Sequence, residues 1–382
     1  MKKIMPRLFI YGYYGFGNVG DDLLLKTVIT STLNAVPDSQ FVVRSLSPVK
    51  VGMPTAHVEF LPLAQITSDQ RLSRGRRLGR YLRDTWKSLE GCTHLVFGGG
   101  TLFHARANSP VNLALIFILV VMARLRGLDI YALGVGVAPL RAAFASRLMA
   151  GILTLATDFA VRDKTSLQQC RTLTRRKSVR ATADLVFSLP LQFVSESRRS
   201  RPKTVIAITL AASDIGNGVH HDDFLQQLAY SLELLDTKGW TIRFLSFQEL
   251  EHSGICLSDT ELFRRAQSYA SNHVGEIVRL SADYIDISEV YSDIAIVAGM
   301  RFHGHILAAM QGIPFVGFGR DEKLRDLCAD LSMPFHDMAT FNAANFATSV
   351  EDALEKKPDA QRIQDLVQLS SENFSKFLES IS

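Results

Sequence analysis

Arg301 and His303 stand two residues apart in Gly299-Met300-Arg301-Phe302-His303-Gly304, directly after the apolar run Ile294-Ala295-Ile296-Val297-Ala298. An Arg at the end of a buried strand is poorly explained by packing, because Arg is rarely buried without a partner. Its planar fork matches a carboxylate or a phosphate. An imidazole two residues on, at a helix start, feels the helix dipole and can move a proton near neutral pH. The competing reading is an ion pair between domains with a capping His. His305 is expected to pack against or cap the same turn.

A second turn, Gly15-Phe16-Gly17-Asn18-Val19-Gly20-Asp21-Asp22, follows the apolar run Leu8-Phe9-Ile10-Tyr11. It matches the dinucleotide fingerprint formally. A nicotinamide site also wants an acid near the end of the next strand, but that strand ends Val43-Arg44-Ser45-Leu46-Ser47. The remaining readings are a ligand contact through Asn18 and Asp21, or glycines that only permit a tight turn. Gly98-Gly99-Gly100-Thr101 poses the same choice, since consecutive glycines imply close approach by a ligand or another segment. Arg162-Asp163 ends a further strand, either as a structural ion pair or as a second anion contact. Asp184 is read as structural, bound to Arg162 or to a helix terminus.

These turns need elements to hold them, and strand-like and helix-like segments alternate along the chain. Strands are expected at Arg7–Tyr14, 41–46, 94–97, 129–133 and 159–161, with helices at 23–35, 113–126 and from Lys164. Asp21 or Asp22 is expected to cap the first helix. After a polar stretch, Ser195 to Lys203, the pattern restarts with strands at 205–210, 241–247, 277–280, 294–298 and 315–318. Helices fall between them at 224–235, 261–269 and 306–311. This alternation implies parallel sheets wrapped by helices. The expected architecture is α/β: two Rossmann-like domains facing across a cleft, at 1–197 and 204–358, with a closing helix at 359–382.

At 382 residues the chain has room for two such domains. Its 47% hydrophobic and 21% charged content is that of a globular protein with sizeable cores. A net charge of +4 suits an anionic small substrate or membrane surface and is too weak to argue for nucleic acid. The four cysteines are scattered and read as buried thiols in a reducing compartment. No metal-binding spacing is visible. The longest apolar run, Leu113 to Ala123, falls short of the roughly 20 residues of a membrane span. Arg71, Arg74, Arg76, Arg77, Arg80 and Arg83 interleave with Leu78, Leu82, Trp86 and Leu89 at helical spacing. A basic amphipathic helix over 71–89 reads as peripheral membrane contact or as an ordinary solvated face.

Four segments in this order resemble the polysaccharide pyruvyl transferase family: Gly17-Asn18-Val19-Gly20-Asp21, Phe97-Gly98-Gly99-Gly100, Val161-Arg162-Asp163-Lys164-Thr165-Ser166, and Arg301-Phe302-His303-Gly304-His305 continuing to Gly312-Ile313-Pro314. The resemblance spans about residues 8 to 328. It implies a GT-B-like architecture and transfer of pyruvate from phosphoenolpyruvate to two hydroxyls of a sugar, releasing phosphate. The implied donor contacts are Arg162, Arg301, Phe302 through its backbone, and His303, which also serves as general acid. Phe302 replaces the family's more usual Leu. Asn18, Asp21, Gly99, Gly100 and Thr101 are assigned to the acceptor, with Asp21 as a second catalytic group. The family commonly has Asp-Glu where this chain has Asp21-Asp22. No cofactor beyond the co-substrate is expected. The acceptor is a sugar or lipid-linked oligosaccharide, the location cytoplasmic and peripheral to the membrane, and a homo-oligomer is compatible. The rival readings are a glycosyltransferase that takes a nucleotide-sugar and a non-catalytic sugar- or anion-binding protein.

Overall fold

The computed structural model describes residues 5–49, 57–62, 74–104, 110–174, 179–189, 204–212, 219–249, 257–271 and 274–382. The polar stretch expected to link the domains lies outside them. The chain divides into two compact units. One takes residues 1–15, 21–188 and 366–382; the other takes 16–20 and 189–365.

The first unit is built on β1 (Arg7–Tyr14), β2 (Gln40–Ser45), β3 (Val58–Pro62), β4 (His94–Phe103), β5 (Asp129–Val137), β6 (Asp158–Val161) and β7 (Val179–Ala181). All pairs are parallel and the sheet order is β3-β2-β1-β4-β5-β6-β7. Central strands of such a sheet are covered on both faces and read as continuous apolar runs. Leu8, Phe9, Ile10, Leu95, Val96 and Phe97 are accordingly all fully buried. Around them lie α1 (Val19–Ala35), α2 (Arg74–Ser88), α3 (Val111–Leu125), α4 (Ala143–Leu155) and α5 (Lys164–Leu173). The long apolar run is α3, whose Leu113, Ile116, Leu119, Val120 and Ala123 join the core. No helix among the described residues is long and apolar enough to cross a membrane.

The second unit carries β8 (Val205–Thr209), β9 (Thr241–Ser246), β10 (Glu276–Arg279), β11 (Ile294–Gly299), β12 (Phe315–Gly319) and β13 (Phe335–Asp337), in the order β10-β9-β8-β11-β12-β13. Its helices are α6 (Val219–Thr237), α7 (Asp259–Ser268), α8 (Tyr284–Val290), α9 (Phe302–Met310), α10 (Glu322–Asp330) and α11 (Ala343–Leu354). Both sheets reverse their strand order once, between β1 and β4 and between β8 and β11. Ligands of open α/β sheets gather at the carboxyl ends of the strands at such a switch point. Gly15 to Asp22 and Gly98 to Thr101 lie at the first, and Arg301 to His303 at the second.

Three boundaries differ from expectation. β4 does not end at the glycines but runs through them to Phe103, its register slipping after Gly100. α1 begins at Val19, so Asp21 and Asp22 lie inside its first turn. Asn18 takes the capping position instead, its Oδ1 accepting from Gly20 N at 3.1 Å. The closing segment is two helices, α12 (Ala360–Ser371) and α13 (Ser375–Ile381), and residues from Leu366 onward belong to the first unit. Asn373, between them, is fully buried. Its Oδ1 accepts from Thr182 Oγ1 at 2.8 Å and its Nδ2 donates to Ala183 O and Ser370 O. Phe377 packs on Tyr131 and His94.

Candidate functional site

In the second unit, β11 ends against β8 with almost no clearance. A Cβ on Gly299 would fall 2.0 Å from Thr209 Oγ1, so only glycine permits the strand to finish there. Met300 N donates to Thr209 O at 2.8 Å and Arg301 N to Thr209 Oγ1 at 3.2 Å. Arg301 is thereby set as the residue before α9, with its side chain offered at the sheet edge.

The guanidinium is already engaged. Nε donates to Leu210 O at 3.1 Å and to Asp259 Oδ2 at 3.0 Å; Nη2 donates to Asp259 Oδ1 and to Gln248 Oε1 at 3.2 Å. Asp259 opens α7 and is fully buried. It accepts two further bonds, from Phe247 N at 2.9 Å and Gln248 N at 3.1 Å. Burial raises its carboxyl pKa, and Arg301 with these two N–H groups opposes the rise. Nη1 makes no hydrogen bond among the described residues.

Gln248 also ties in the glycine turn. Residues 16–20, which include the first two residues of α1, pack with the second unit, although β1 and α1 from Asp21 onward belong to the first. Val19 N donates to Phe247 O at 2.8 Å, Glu249 N donates to Gly17 O at 3.2 Å, and Asn18 and Gln248 form an isolated antiparallel bridge. Gly17 has φ of 71°, in the region that glycine favours. Gly20 then lies against His303: a Cβ there would stand 2.0 Å from Nδ1. Phe302 meets the His303 ring edge-on at 5.4 Å, and Lys323 Nζ stands 5.7 Å from the Phe302 ring centre. His305 is fully buried between Arg301 O (Nδ1, 2.9 Å) and Val316 O (Nε2, 3.2 Å), and burial lowers its pKa. It packs the turn, as expected.

The first unit holds the other candidates. Gly99 and Gly100 have φ of 78° and 77°. A Cβ on Gly99 would meet Leu24 Cδ2 at 2.8 Å, and one on Gly100 would meet Asp21 Oδ1 at 3.4 Å. Tyr14 Oη donates to Gly98 O at 2.8 Å. The neighbouring segment α1 therefore accounts for much of the close approach the glycines permit, and it puts Asp21 beside Gly100. Asp22 accepts from Gly15 N at 3.0 Å, and burial raises its pKa to about 7.

Arg162 is buried. Nη1 donates to Asp184 Oδ2 at 2.6 Å and Nη2 to Thr101 Oγ1 at 2.9 Å. This is the pairing read for Asp184 in the sequence, and it brings Thr101 and Arg162 together. Asp163 caps α5, accepting from Ser166 N at 2.6 Å. Asn18 falls in the other unit from Asp21, Gly99, Gly100 and Thr101, so the five acceptor candidates are split between units.

Sequence reasoning missed Asp259, Gln248 and Lys323. Asp259 follows Ser258, a helix N-cap whose Oγ accepts from Glu261 N, so its signal was that of an ordinary helix start. A lone acid opening a helix just after a strand was the available clue.

The family model described as polysaccharide pyruvyl transferase matches residues 18–322. No curated protein matches the sequence. Among solved structures, UDP-GlcNAc 2-epimerase from Methanocaldococcus jannaschii superposes with a TM-score of 0.64 at 13% identity, covering 98% of this chain and 99% of that one. The UDP-GlcNAc-bound 2-epimerase from Neisseria meningitidis gives 0.61 at 11% identity, over 98% and 100%. Anabaena HepE in complex with UDP and glucose gives 0.57 at 12%, over 99% and 97%. At these identities the likeness is one of fold: two parallel-sheet α/β units of the GT-B type. The match over residues 18–322, most of the chain, makes it a member of the polysaccharide pyruvyl transferase family.

Proposed function

We propose that the protein transfers pyruvate from phosphoenolpyruvate to two hydroxyls of a sugar, in a polysaccharide or its lipid-linked precursor. The products are a pyruvate ketal and phosphate. The observation that carries this reading is the turn at the start of α9, at a topological switch point. There the backbone N–H groups of a helix terminus, the open Nη1 of Arg301 and the His303 imidazole come together. A donor with a carboxylate and a phosphate suits such a turn, with the Phe302 backbone as a further contact. Lys323, paired with Asp321 at 3.1 Å, stands beside Phe302.

The chemistry asks for a proton at C3 of the enol ether, which leaves C2 electrophilic. An imidazolium at position 303 supplies that proton. The first sugar hydroxyl adds at C2 and loses its proton, the C2–O bond to phosphate breaks, and the second hydroxyl closes the ketal with loss of its own proton. Asp21, beside Gly100, is assigned to hold or deprotonate a hydroxyl; Gly99, Gly100 and Thr101 offer backbone and hydroxyl contacts to the acceptor. Donor and products need no redox cofactor. The donor is a cytoplasmic metabolite, which places the reaction on that side of the envelope.

A nucleotide-sugar donor is the second reading, favoured by the fold shared with UDP-GlcNAc-binding proteins. Phosphate release from phosphoenolpyruvate across galactosides, mannosides and lipid-linked amino sugars tests the first reading directly. Thermal stabilisation by UDP-sugars and none by phosphoenolpyruvate would favour the second.

A further inference from the structure

Helix α2 carries a cationic stripe on its outer face. Arg76, Arg80, Arg83 and Lys87 follow the spacing that stacks side chains along one side of a helix, and all four are exposed. Asp84 is the one acid in the helix, against four basic residues on the stripe alone. The opposite side is fixed inward. Tyr81 and Thr85 are buried, and Tyr81 Oη donates to Leu115 O on α3 at 3.3 Å.

What holds this polar helix down is Arg44. Its side chain reaches from β2, is 4% exposed, and donates to Thr85 Oγ1 and Ser88 Oγ at 3.1 Å each. Among the described residues it makes no ion pair, and it lies between the Phe9 and Tyr81 rings. Burial lowers the pKa of this guanidinium, and the Asp84 carboxylate on α2 is among the groups that oppose the shift. Nature of the flank matters too. Trp86 is 40% exposed with Arg126 stacked 4.3 Å from its ring, Leu78 is 42% exposed, and Leu125, next to Arg126, is 73% exposed.

Exposed cations beside a half-exposed indole and exposed leucines are the composition of a helix lying in a membrane interface. Nucleic acid would ask for a broader basic field than a chain of net charge +4 supplies. We propose that the α2 face, with Trp86 and Leu125, docks on an anionic lipid bilayer, with phosphatidylglycerol-type headgroups as the recognised chemistry. This inference does not rest on the enzymatic reading, although a lipid-linked acceptor would be delivered at such a surface.

Sedimentation with vesicles needs neither donor nor acceptor, so it separates the two readings. Wild type should bind mixed phosphatidylglycerol–phosphatidylcholine vesicles and not phosphatidylcholine alone. The Arg76→Gln, Arg80→Gln, Arg83→Gln triple variant should lose about a hundredfold in partitioning, at about fivefold per charge. The corresponding triple Lys variant should keep its affinity, because a bilayer field reads charge and not a bidentate fork. Trp86 and Trp240 are the chain's two tryptophans. In a Trp240→Phe background, Trp86 emission should shift to the blue on vesicle addition. Far-UV circular dichroism and melting of each variant guard against simple misfolding, because the substituted side chains are exposed. Wild type that ignores anionic vesicles, an unaffected Gln variant, or tighter capture by single-stranded nucleic acid than by vesicles would each overturn the proposal.

Discussion

Asp259 and Arg301 form a buried carboxylate–guanidinium pair in which Asp259 takes the Nε and Nη2 edge of the fork and leaves Nη1 open. Arg301 is therefore braced before any ligand arrives. Removing one partner of such a pair leaves the other charge uncompensated, which costs more than the pair contributes. Asp259→Asn should destabilise by about 2 kcal/mol or more. Arg301→Lys should not rescue Arg301→Ala: it keeps charge but cannot reach Leu210 O, Gln248 and Asp259 together, and donor affinity should fall by about 2 kcal/mol or more. Melting and titration calorimetry with phosphoenolpyruvate measure both. Wild-type donor affinity in the Lys variant would remove Arg301 from the donor site.

Gly20 offers a way to move His303 without changing it. A methyl group there would collide with Nδ1, so Gly20→Ala should push the imidazole out of place. His303→Gln and His303→Ala should each lower kcat by about 10²–10⁴ with a smaller effect on donor affinity. Gly20→Ala should reproduce part of that loss in kcat while far-UV circular dichroism stays that of wild type. If His303 only supports the turn, its variants should lose about 1 kcal/mol of stability and turn over normally.

Asp22 makes a pH prediction. Its pKa, about 7 in the folded chain, lies above the ordinary carboxylate value because of burial. A group raised in this way contributes its full stability below the unfolded pKa. That stability is lost as pH climbs from about 4 through about 7. Asp22→Asn keeps an oxygen to accept from Gly15 N and carries no charge. It should melt like wild type at about pH 4 and above wild type at about pH 8. Identical melting curves for the two proteins at both values would mean the carboxylate is better solvated than its surroundings indicate.

Arg162 is the structural counterpart of Arg301. Its loss would leave Asp184 buried with one fewer donor, and Arg162→Ala should cost about 3–5 kcal/mol. Arg162→Ala combined with Asp184→Ala should recover part of that cost in a denaturant-unfolding cycle. Additive losses would show that the two charges do not depend on one another.

Much of this molecule was readable from local pattern. β1 and the central strands announce themselves because burial on both faces demands unbroken apolar runs. Arg301 stood out because nothing local explained a cation there. What escaped reading was non-local. Asp259 looks like any acid in a helix start until β9, α7 and the β11 turn converge on it. Gly99 and Gly100 look like a turn, yet pairing with β5 carries the strand through them. Asn18 displaced Asp21 and Asp22 as the helix cap because the 16–20 turn pairs with Gln248, about 230 residues away in sequence, and that fixes where the helix begins.

Residues 366–382 complete the first unit, with Asn373 buried against Thr182 and Ala183 and Lys376 paired to Asp158 at 3.0 Å. On the ribosome, that unit is more than half made and then has to wait while the whole second unit is synthesised. At typical elongation rates the delay is roughly 10–40 s. During it the surface that will receive Phe377 and Ile381 stays uncovered. The order of synthesis therefore lets the second unit be made in full before the segment that closes the first is available.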